Sequence, residues 1–252
     1  MSFVVAAESY DRFMGRYSSI LAPLFADFAG VEPGLQVLEV GCGPGALTGE
    51  LVGRMGAGAV TAVDPSEPFV AAVRERLPAV DVRQASAESL PFADASFDLT
   101  VAQLVVHHMS DAVAGVGEMR RVTRTGGAVA ACVWDLAGGR APLSPFWRAA
   151  KRFNPATIDE SDFPGAREGE LVRIFGDAGL SNIEGDAITF EVQHATFEVW
   201  WEPFTLGVGP AGSYVVGLDE DSQARLAELA HEEAGSAPFT LSLRVWCARG
   251  QA

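Results

Sequence analysis

Short apolar runs alternate with amphipathic segments along the first 134 residues, and this alternation constrains the fold more than any other feature of the chain. The runs have the length of strands, while the segments between them have helical spacing. Strands that alternate with helices in this way form βαβ units and a parallel sheet. The pattern predicts strands at 36–40, 60–63, 80–84, 97–103 and 127–134, and helices at 18–29, 46–55, 67–77 and 112–122.

The pattern changes after Trp134. The Gly- and Pro-rich stretch 137–145 predicts a loop, and the glycines of 207–212 predict a second loop with hinge-like freedom. The later predicted elements are a helix at 168–178, strands at 182–192 and 238–247, and a polar helix at 219–233. The two late strands would complete a sheet of seven.

A glycine-rich turn with the sequence EVGCGPG follows the first predicted strand. Its glycines allow a sharp turn and a close approach of the backbone to a ligand. The spacing of Gly41, Gly43 and Ala46 also satisfies a dinucleotide-binding pattern, so an NAD(P)-dependent oxidoreductase is one hypothesis. Glu39 would repel a pyrophosphate, however, and Pro44 lacks an N–H group that could bind one. A cationic ligand without phosphate fits this turn better.

Asp64 ends the second predicted strand, about 20 residues beyond the glycine turn, where an acidic side chain can bind ribose hydroxyls. The alternative is a purely structural role, because a helix begins just after Pro65 and Ser66. Ser66 could cap that helix equally well, so the ribose role is favoured for Asp64.

Three segments in register carry a resemblance to a known family. They are VLEVGCGPG, VDPS and AESLPFADASFDLTVAQLVVHHMSD, within residues 36–134. They resemble the class I, Rossmann-like S-adenosylmethionine-dependent methyltransferases, specifically the branch that methylates small molecules. The resemblance implies an α/β fold with a mostly parallel seven-stranded sheet and helices on both faces.

The resemblance also implies how the cofactor, S-adenosylmethionine, is bound. The turn with Gly41, Gly43 and Gly45 would hold its methionine part, with Glu39 near the ammonium. Asp64 would bind both ribose hydroxyls. The adenine pocket would be lined by Pro65, Ser66, Ser86 and Ala87, although many relatives have Asp where Ser86 stands. Gln103 would lie beside the sulfonium and the acceptor. In similar proteins an N-terminal segment folds over the cofactor, which here would place Tyr10, Arg16 and Tyr17 in a lid.

The acceptor side of the site is less defined by the sequence. His107 or His108 could act as a catalytic base, or both could simply begin a helix. Trp200, Trp201 and Phe204 could form a substrate wall, or could belong to the core. Because methyl transfer from a sulfonium needs mainly alignment, no metal site is expected. A single domain over 1–252 is expected, with its core at 30–135 and lid elements at 8–30 and 195–217.

Composition narrows the classes of partner. The formal charge is −15 and Lys151 is the only lysine, so neither nucleic acid nor an anionic membrane is an expected partner. The three cysteines have no metal-ligand or CxxC spacing, and the N-terminus lacks the features of a signal peptide, which favours the cytoplasm. The chain is expected to be a monomer or homodimer that acts on a small-molecule acceptor. A nucleic-acid methyltransferase and a non-catalytic binding protein of the same fold are further alternatives.

Overall fold

The computed structural model describes residues 7–252; the apolar start of the chain, residues 1–6, lies outside them. Seven strands form one sheet: β1 (Val37–Val40), β2 (Val60–Asp64), β3 (Asp81–Gln84), β4 (Phe97–Gln103), β5 (Thr123–Trp134), β6 (Ser181–His194) and β7 (Phe239–Gln251). Their order across the sheet is β3-β2-β1-β4-β5-β7-β6. The strands β1 to β5 pair in parallel, and β7 is antiparallel to both of its neighbours. The predicted Rossmann-like sheet is confirmed.

Helices cover both faces of this sheet. They are α1 (Ala7–Tyr10), α2 (Arg16–Ala29), α3 (Ala46–Met55), α4 (Glu67–Arg76), α5 (Ala112–Val122), α6 (Ser144–Phe153), α7 (Glu170–Asp177), α8 (Phe197–Trp201), α9 (Gly209–Val216) and α10 (Glu220–Ala234). Alternate residues of β5 face opposite sides, because successive side chains of a strand point to opposite faces. Ala130 and Cys132 pack with the α2, α3 and α6 side, whereas Val129 and Ala131 pack with α5 and α7.

Several elements differ from the sequence prediction. β5 begins at Thr123 rather than at 127. Gly126 has a left-handed backbone conformation, but the strand continues through it, and the pairing with β4 shifts register next to Phe97. α6 begins inside the stretch predicted as a loop, where Pro145 stands in the first turn, a position that tolerates proline. The late strands β6 and β7 are longer than predicted, because they pair with each other as long antiparallel neighbours.

The segment around Gly207, Gly209 and Gly212 is not the predicted loop. Gly209 and Gly212 lie within α9, which buries Ala211 and Val215. A Cβ atom on Gly212 would lie 2.7 Å from the carbonyl carbon of Gly207. Glycine at 212 therefore permits close packing of α9 against the preceding turn, which is a structural role and not a hinge.

Candidate active site

A cavity of about 620 Å³ lies at the carboxyl edge of the sheet, at the ends of β1, β2 and β4. The chain runs outward from β1 to β3 on one side, and from β4 to β5 on the other. The crevice therefore opens where the direction of strand order reverses, which is the usual ligand position in open α/β sheets. Its volume falls within the range of about 300–1,000 Å³ that is common for small-molecule sites.

The glycine turn forms one wall of this cavity. Gly41 and Gly43 line the cavity, and both have positive φ angles, of 74° and 52°. A Cβ atom on Gly41 would lie 2.4 Å from Cγ2 of Val105, so only glycine lets the turn pack against the segment that follows β4. Gly45, with φ of 100°, lies at the start of α3 and does not line the cavity.

Asp64 lines the cavity and also organises the turns around it. Its Oδ2 accepts a hydrogen bond from the N–H of Gly43 at 2.9 Å, and its Oδ1 accepts one from the N–H of Ser66 at 2.8 Å. Burial raises the pKa of this carboxyl group, while the two backbone bonds oppose that shift. Asp64 thus joins the glycine turn to the start of α4. It is not the helix cap considered as the alternative, because the N-cap position of α4 is Ser66; its structural role lies in these two backbone contacts, beside its exposure to the cavity.

Pro65, Ser66, Ser86 and Ala87 all line the same cavity, as the adenine assignment requires. The Ser86 hydroxyl donates to the carboxylate of Glu88, which also lines the cavity. Glu88 Oε1 in turn accepts from the N–H of Ser110 at 2.7 Å. Glu88 was missed by the sequence analysis, although it stands two residues after Ser86 and supplies a carboxylate at this end.

Glu39 lies behind the glycine turn. Its side chain is 2% exposed and faces a smaller cavity of about 30 Å³, which Tyr10, Gly41, Gly43 and Gln103 also line. The Thr48 hydroxyl donates to Glu39 Oε2 at 2.6 Å. Burial raises the pKa of Glu39 from 4.5 to about 8, the Thr48 bond opposes the shift, and nearby Asp64 adds to it. A cationic group placed here would relieve the cost of the buried charge.

Gln103 lines both cavities, at the end of β4. Its Nε2 donates to the carbonyl oxygen of Ser18 at 3.2 Å. Its buried Oε1 has no hydrogen-bond partner within residues 7–252. Because an unsatisfied buried acceptor costs about 1–3 kcal/mol, this atom fits a ligand that donates a hydrogen bond or carries positive charge.

The two histidines are placed differently. His108 lines the main cavity, whereas His107 is buried and does not. Their ring centroids are 3.9 Å apart. Burial lowers the pKa of His108 to about 4 and that of His107 well below its ordinary value. Both rings are therefore neutral at pH 7, and the burial that keeps them neutral also lowers their affinity for a proton.

Of Tyr10, Arg16 and Tyr17, Tyr10 lines both cavities, and Asp11, Gly15 and Ser18 of the same predicted lid segment line the smaller one. The ring of Tyr10 lies 5.1 Å from that of Phe69, another lining residue. Arg16 instead donates to the carbonyl oxygens of Val199 and Trp200, at 2.8 and 3.2 Å. The hydroxyl of Tyr17 lies 3.2 Å from Nε2 of His194. Arg16 and Tyr17 therefore hold α2 against the late segments and do not line either cavity.

The late aromatic residues lie away from both cavities. Trp200 is 0% exposed, and its ring lies 4.9 Å from that of Phe204. Phe204 also stacks on Phe146 at 4.8 Å. Trp201 packs against the same cluster. The structure thus brings these three residues together in the core, and a substrate contact for them stays a prediction.

Two classes of feature are absent from the described part of the chain. Within residues 7–252 no group of histidine, cysteine or acidic side chains is arranged to hold a metal ion. In the same range no helix has both the length and the apolar character that crossing a bilayer requires.

Comparison with known proteins identifies the family. Residues 38–131 match a family model described as a methyltransferase domain. A probable S-adenosylmethionine-dependent methyltransferase of Mycolicibacterium smegmatis is 33% identical over 178 residues, which cover 67% of this chain and 68% of that protein. A demethylmenaquinone methyltransferase of Bacillus cytotoxicus is 31% identical over 183 residues, 64% of this chain and 76% of that protein. Against several other curated relatives the chain spans only 30% to 57% of their length.

A solved structure shares the fold. The YcgJ protein of Bacillus subtilis superposes with a TM-score of 0.57 at 19% identity, covering 94% of this chain and 98% of that one. The chain belongs to the S-adenosylmethionine-dependent methyltransferases. It is a class I member that uses S-adenosylmethionine, and the oxidoreductase hypothesis is set aside. The buried carboxyl of Glu39 and the unsatisfied oxygen of Gln103 fit a cofactor that carries an ammonium and a sulfonium.

Proposed function

We propose that this enzyme methylates a small-molecule acceptor bound in the 620 Å³ cavity, next to the cofactor. One observation carries the proposal: a single cavity is lined both by Asp64 and Ser86, which suit the nucleoside, and by Gln103 and His108. The part beside Asp64 and Ser86 would hold the nucleoside, which leaves the rest for the group that is methylated. The relative from Bacillus cytotoxicus, which is named for a quinone-type acceptor, supports a small molecule as the substrate class.

The residues of the chain would bind and orient the two reactants. S-Adenosylmethionine supplies a methyl group already activated on its sulfonium, so the protein needs mainly to align the acceptor and exclude water. Asp64 would accept hydrogen bonds from the ribose, and Ser86 and Ala87 would border the adenine. Glu39 would face the ammonium of the cofactor, and Gln103 Oε1 would face its sulfonium. His108 would take the proton of the acceptor.

A mass-spectrometric screen tests the proposed substrate class. The protein is incubated with S-adenosylmethionine and a panel of phenols, quinols, amines and carboxylic acids, and products are sought that have gained one CH₂ in mass. At least one acceptor small enough for the cavity is expected to be methylated. If the protein instead modified only nucleic acid or intact protein, the small-molecule proposal would be wrong.

Proton release on cofactor binding tests the position of Glu39. Since its pKa is about 8, the carboxyl group is mostly protonated at pH 7 in the cofactor-free protein. An adjacent ammonium would favour the charged form, so binding of S-adenosylhomocysteine near pH 7 is expected to release this proton. Calorimetry in buffers with different ionisation enthalpies measures the release. In Glu39→Gln, which can still accept the Thr48 bond, the release should disappear and binding should weaken by about 1.5–3 kcal/mol.

Glu39 also gives the stability of the cofactor-free protein a pH dependence. The folded state binds this proton more tightly than the unfolded chain, because the pKa rises from 4.5 to about 8 on folding. The contribution of Glu39 is therefore full below about pH 4.5 and is lost as the pH rises towards 8. Glu39→Gln is expected to flatten that part of the profile. If Glu39→Gln changed neither the pH dependence of stability nor the proton release, Glu39 would not be part of the cofactor site.

We further propose that 8–30 and 195–217 act as lid elements on one domain whose core is 30–135. Tyr10 forms part of the cavity wall, Arg12 pairs with Glu202, and Arg16 holds the carbonyl groups of Val199 and Trp200. On the other side, Arg76 binds Asp11 at 2.6 Å and the carbonyl oxygen of Pro44 at 3.0 Å. The N-terminal segment thus connects the glycine turn to α8.

Hydrogen exchange with and without S-adenosylhomocysteine tests the lid. Residues 8–18 and 197–214 are expected to gain protection on binding, because closure would order both segments. In Arg16→Met, which loses both bonds to α8, the gain at 197–214 should shrink while the gain at 8–18 remains. Protection confined to 36–92 would instead indicate an open site.

A further inference from the structure

A second cavity, of about 400 Å³, lies beyond the carboxyl end of β5. Its walls come from the loop Leu136–Gly139, from one face of α6, and from the segment Asp159–Ser161. None of its lining residues lines the cofactor cavity. It is therefore a separate concave site, and the proposed methyl transfer does not use it.

Glu160 is the side chain in this cavity whose bonding is incomplete. It is 5% exposed, and its Oε2 accepts a hydrogen bond from the indole Nε1 of Trp147 at 2.8 Å. Its Oε1 has no hydrogen-bond partner within residues 7–252, and no cationic side chain in that range pairs with it. Burial raises the pKa of Glu160 to about 7, which reflects this lack of compensation. A carboxyl group on a cavity wall with one free oxygen can take a ligand.

The charges around the cavity favour a cation as that ligand. Its two cationic lining residues are already paired: Lys151 lies 2.7 Å from Asp159, and Arg148 lies 2.9 Å from Glu233. Behind the loop, the buried carboxylate of Asp135 accepts from the N–H of Gly138 at 2.9 Å and adds negative potential. The net charge of −15 also enriches cations near the surface.

The remaining surface of the cavity favours a ligand with an apolar body. Trp147 lines the cavity beside Glu160, and Leu136, Ala137 and Ala141 complete an apolar wall. An aromatic ring next to an uncompensated carboxylate is a combination that binds organic ammonium ions, through cation–π attraction and a charge-assisted hydrogen bond.

We propose that this cavity is a second small-molecule site, which binds an organic ammonium ion through Glu160 and Trp147. The ammonium donates to Glu160 Oε1, and the apolar part of the ligand packs on the indole. The segment that carries Glu160 continues to Phe163, whose ring lies 6.3 Å from that of His108. The same segment therefore lines the second cavity and packs near a residue that lines the first, although the proposed binding does not depend on the methyl transfer.

Titration with 2-phenylethylamine tests the proposal, with excess S-adenosylhomocysteine present so that the cofactor part of the larger cavity is filled, and with a readout at Trp147 that reports on the second cavity alone. The readout is the NMR signal of the Trp147 indole N–H, which bonds to Glu160 directly and is assigned as the peak missing in Trp147→Phe. At about pH 8, where Glu160 is charged and the amine is cationic, saturable movement of this signal is expected. The affinity for the neutral isostere 2-phenylethanol is expected to be lower by roughly tenfold or more.

Two matched variants identify the residue responsible. Glu160→Gln keeps an acceptor for the indole and removes the charge, so amine affinity should fall by roughly tenfold or more. Asp162→Asn removes one charge from an exposed side chain of the same segment that does not line the cavity, and its affinity should stay within about twofold of wild type. Amide hydrogen-exchange profiles that match wild type establish that both variants fold. No movement of the Trp147 signal in wild type, equal affinity in Glu160→Gln, or equal binding of 2-phenylethanol would overturn the proposal.

Discussion

Replacing Asp64 by alanine is expected to weaken S-adenosylhomocysteine binding by about 1.5–3 kcal/mol, roughly 10- to 100-fold. The carboxylate lines the cavity at the end of β2, where charge-assisted bonds to ribose hydroxyls would be lost. The variant also loses the two bonds that hold the N–H groups of Gly43 and Ser66. Because those bonds shape the glycine turn, the loss should lie at the upper end of this range. Isothermal titration calorimetry measures it.

Asp81→Ala is the matched control for Asp64→Ala. Asp81 stands on the adjacent strand β3, is exposed, and pairs with Arg83 outside the cavity. Its removal changes the net charge equally but should leave cofactor affinity unchanged. A folded Asp64→Ala protein that binds as tightly as Asp81→Ala would reduce Asp64 to its structural role in the turn.

Replacing His108 by alanine is expected to lower turnover by about 10²–10⁴-fold while leaving cofactor affinity unchanged, if its imidazole deprotonates the acceptor. The ring lines the cavity, and its pKa of about 4 keeps it neutral at pH 7, although the same burial makes it a weaker base than an ordinary imidazole. For the same reason, turnover at saturating cofactor should not fall between pH 8 and 6 through protonation of His108, since protonation sets in only as the pH falls towards 4. A pH–rate profile with an acceptor found in the mass-spectrometric screen tests this.

His107→Leu is the control for His108→Ala. His107 is buried beside the His108 ring but does not line the cavity, and leucine fills a similar volume. The control is expected to retain most of its turnover and to differ mainly in stability. Equal turnover in wild type and His108→Ala would show that His108 is not a catalytic base, and that alignment of the reactants accounts for catalysis.

The first half of the fold was predictable because its signals are local. Strands β1, β2 and β4 are largely apolar and end at or just before a glycine or a polar residue, and their positions were predicted to within one or two residues, as was that of the short polar strand β3. The start of α6 was missed for a local reason as well, because Pro145 suggests a loop although it occupies the first turn of a helix. The helix α9 was missed because Gly209 and Gly212 suggest a loop, whereas their spacing serves close packing against Gly207.

The site was predictable where topology brings loop residues together. The ends of parallel strands meet at one edge of the sheet, so the turn after β1, Asp64 after β2 and Gln103 after β4 necessarily lie close to one another. The positions of Arg16, Trp200 and Phe204 depend instead on contacts made far along the chain, such as that between Arg16 and Val199. Spacing in the sequence cannot tell whether such a side chain faces a cavity or the core, and Glu88 was missed because a single glutamate in a loop has no pattern of its own.

Thermal unfolding with different cofactors tests the central claim, that this chain is an S-adenosylmethionine-dependent enzyme. S-Adenosylhomocysteine at about 100 times its dissociation constant should stabilise the protein by roughly 2.7 kcal/mol and raise its Tm, and S-adenosylmethionine should act in the same direction. NAD and NADP should leave the Tm unchanged, because Pro44 lacks an N–H group that could bind a pyrophosphate at the glycine turn. A rise in Tm with NAD or NADP, and none with S-adenosylhomocysteine, would contradict the account.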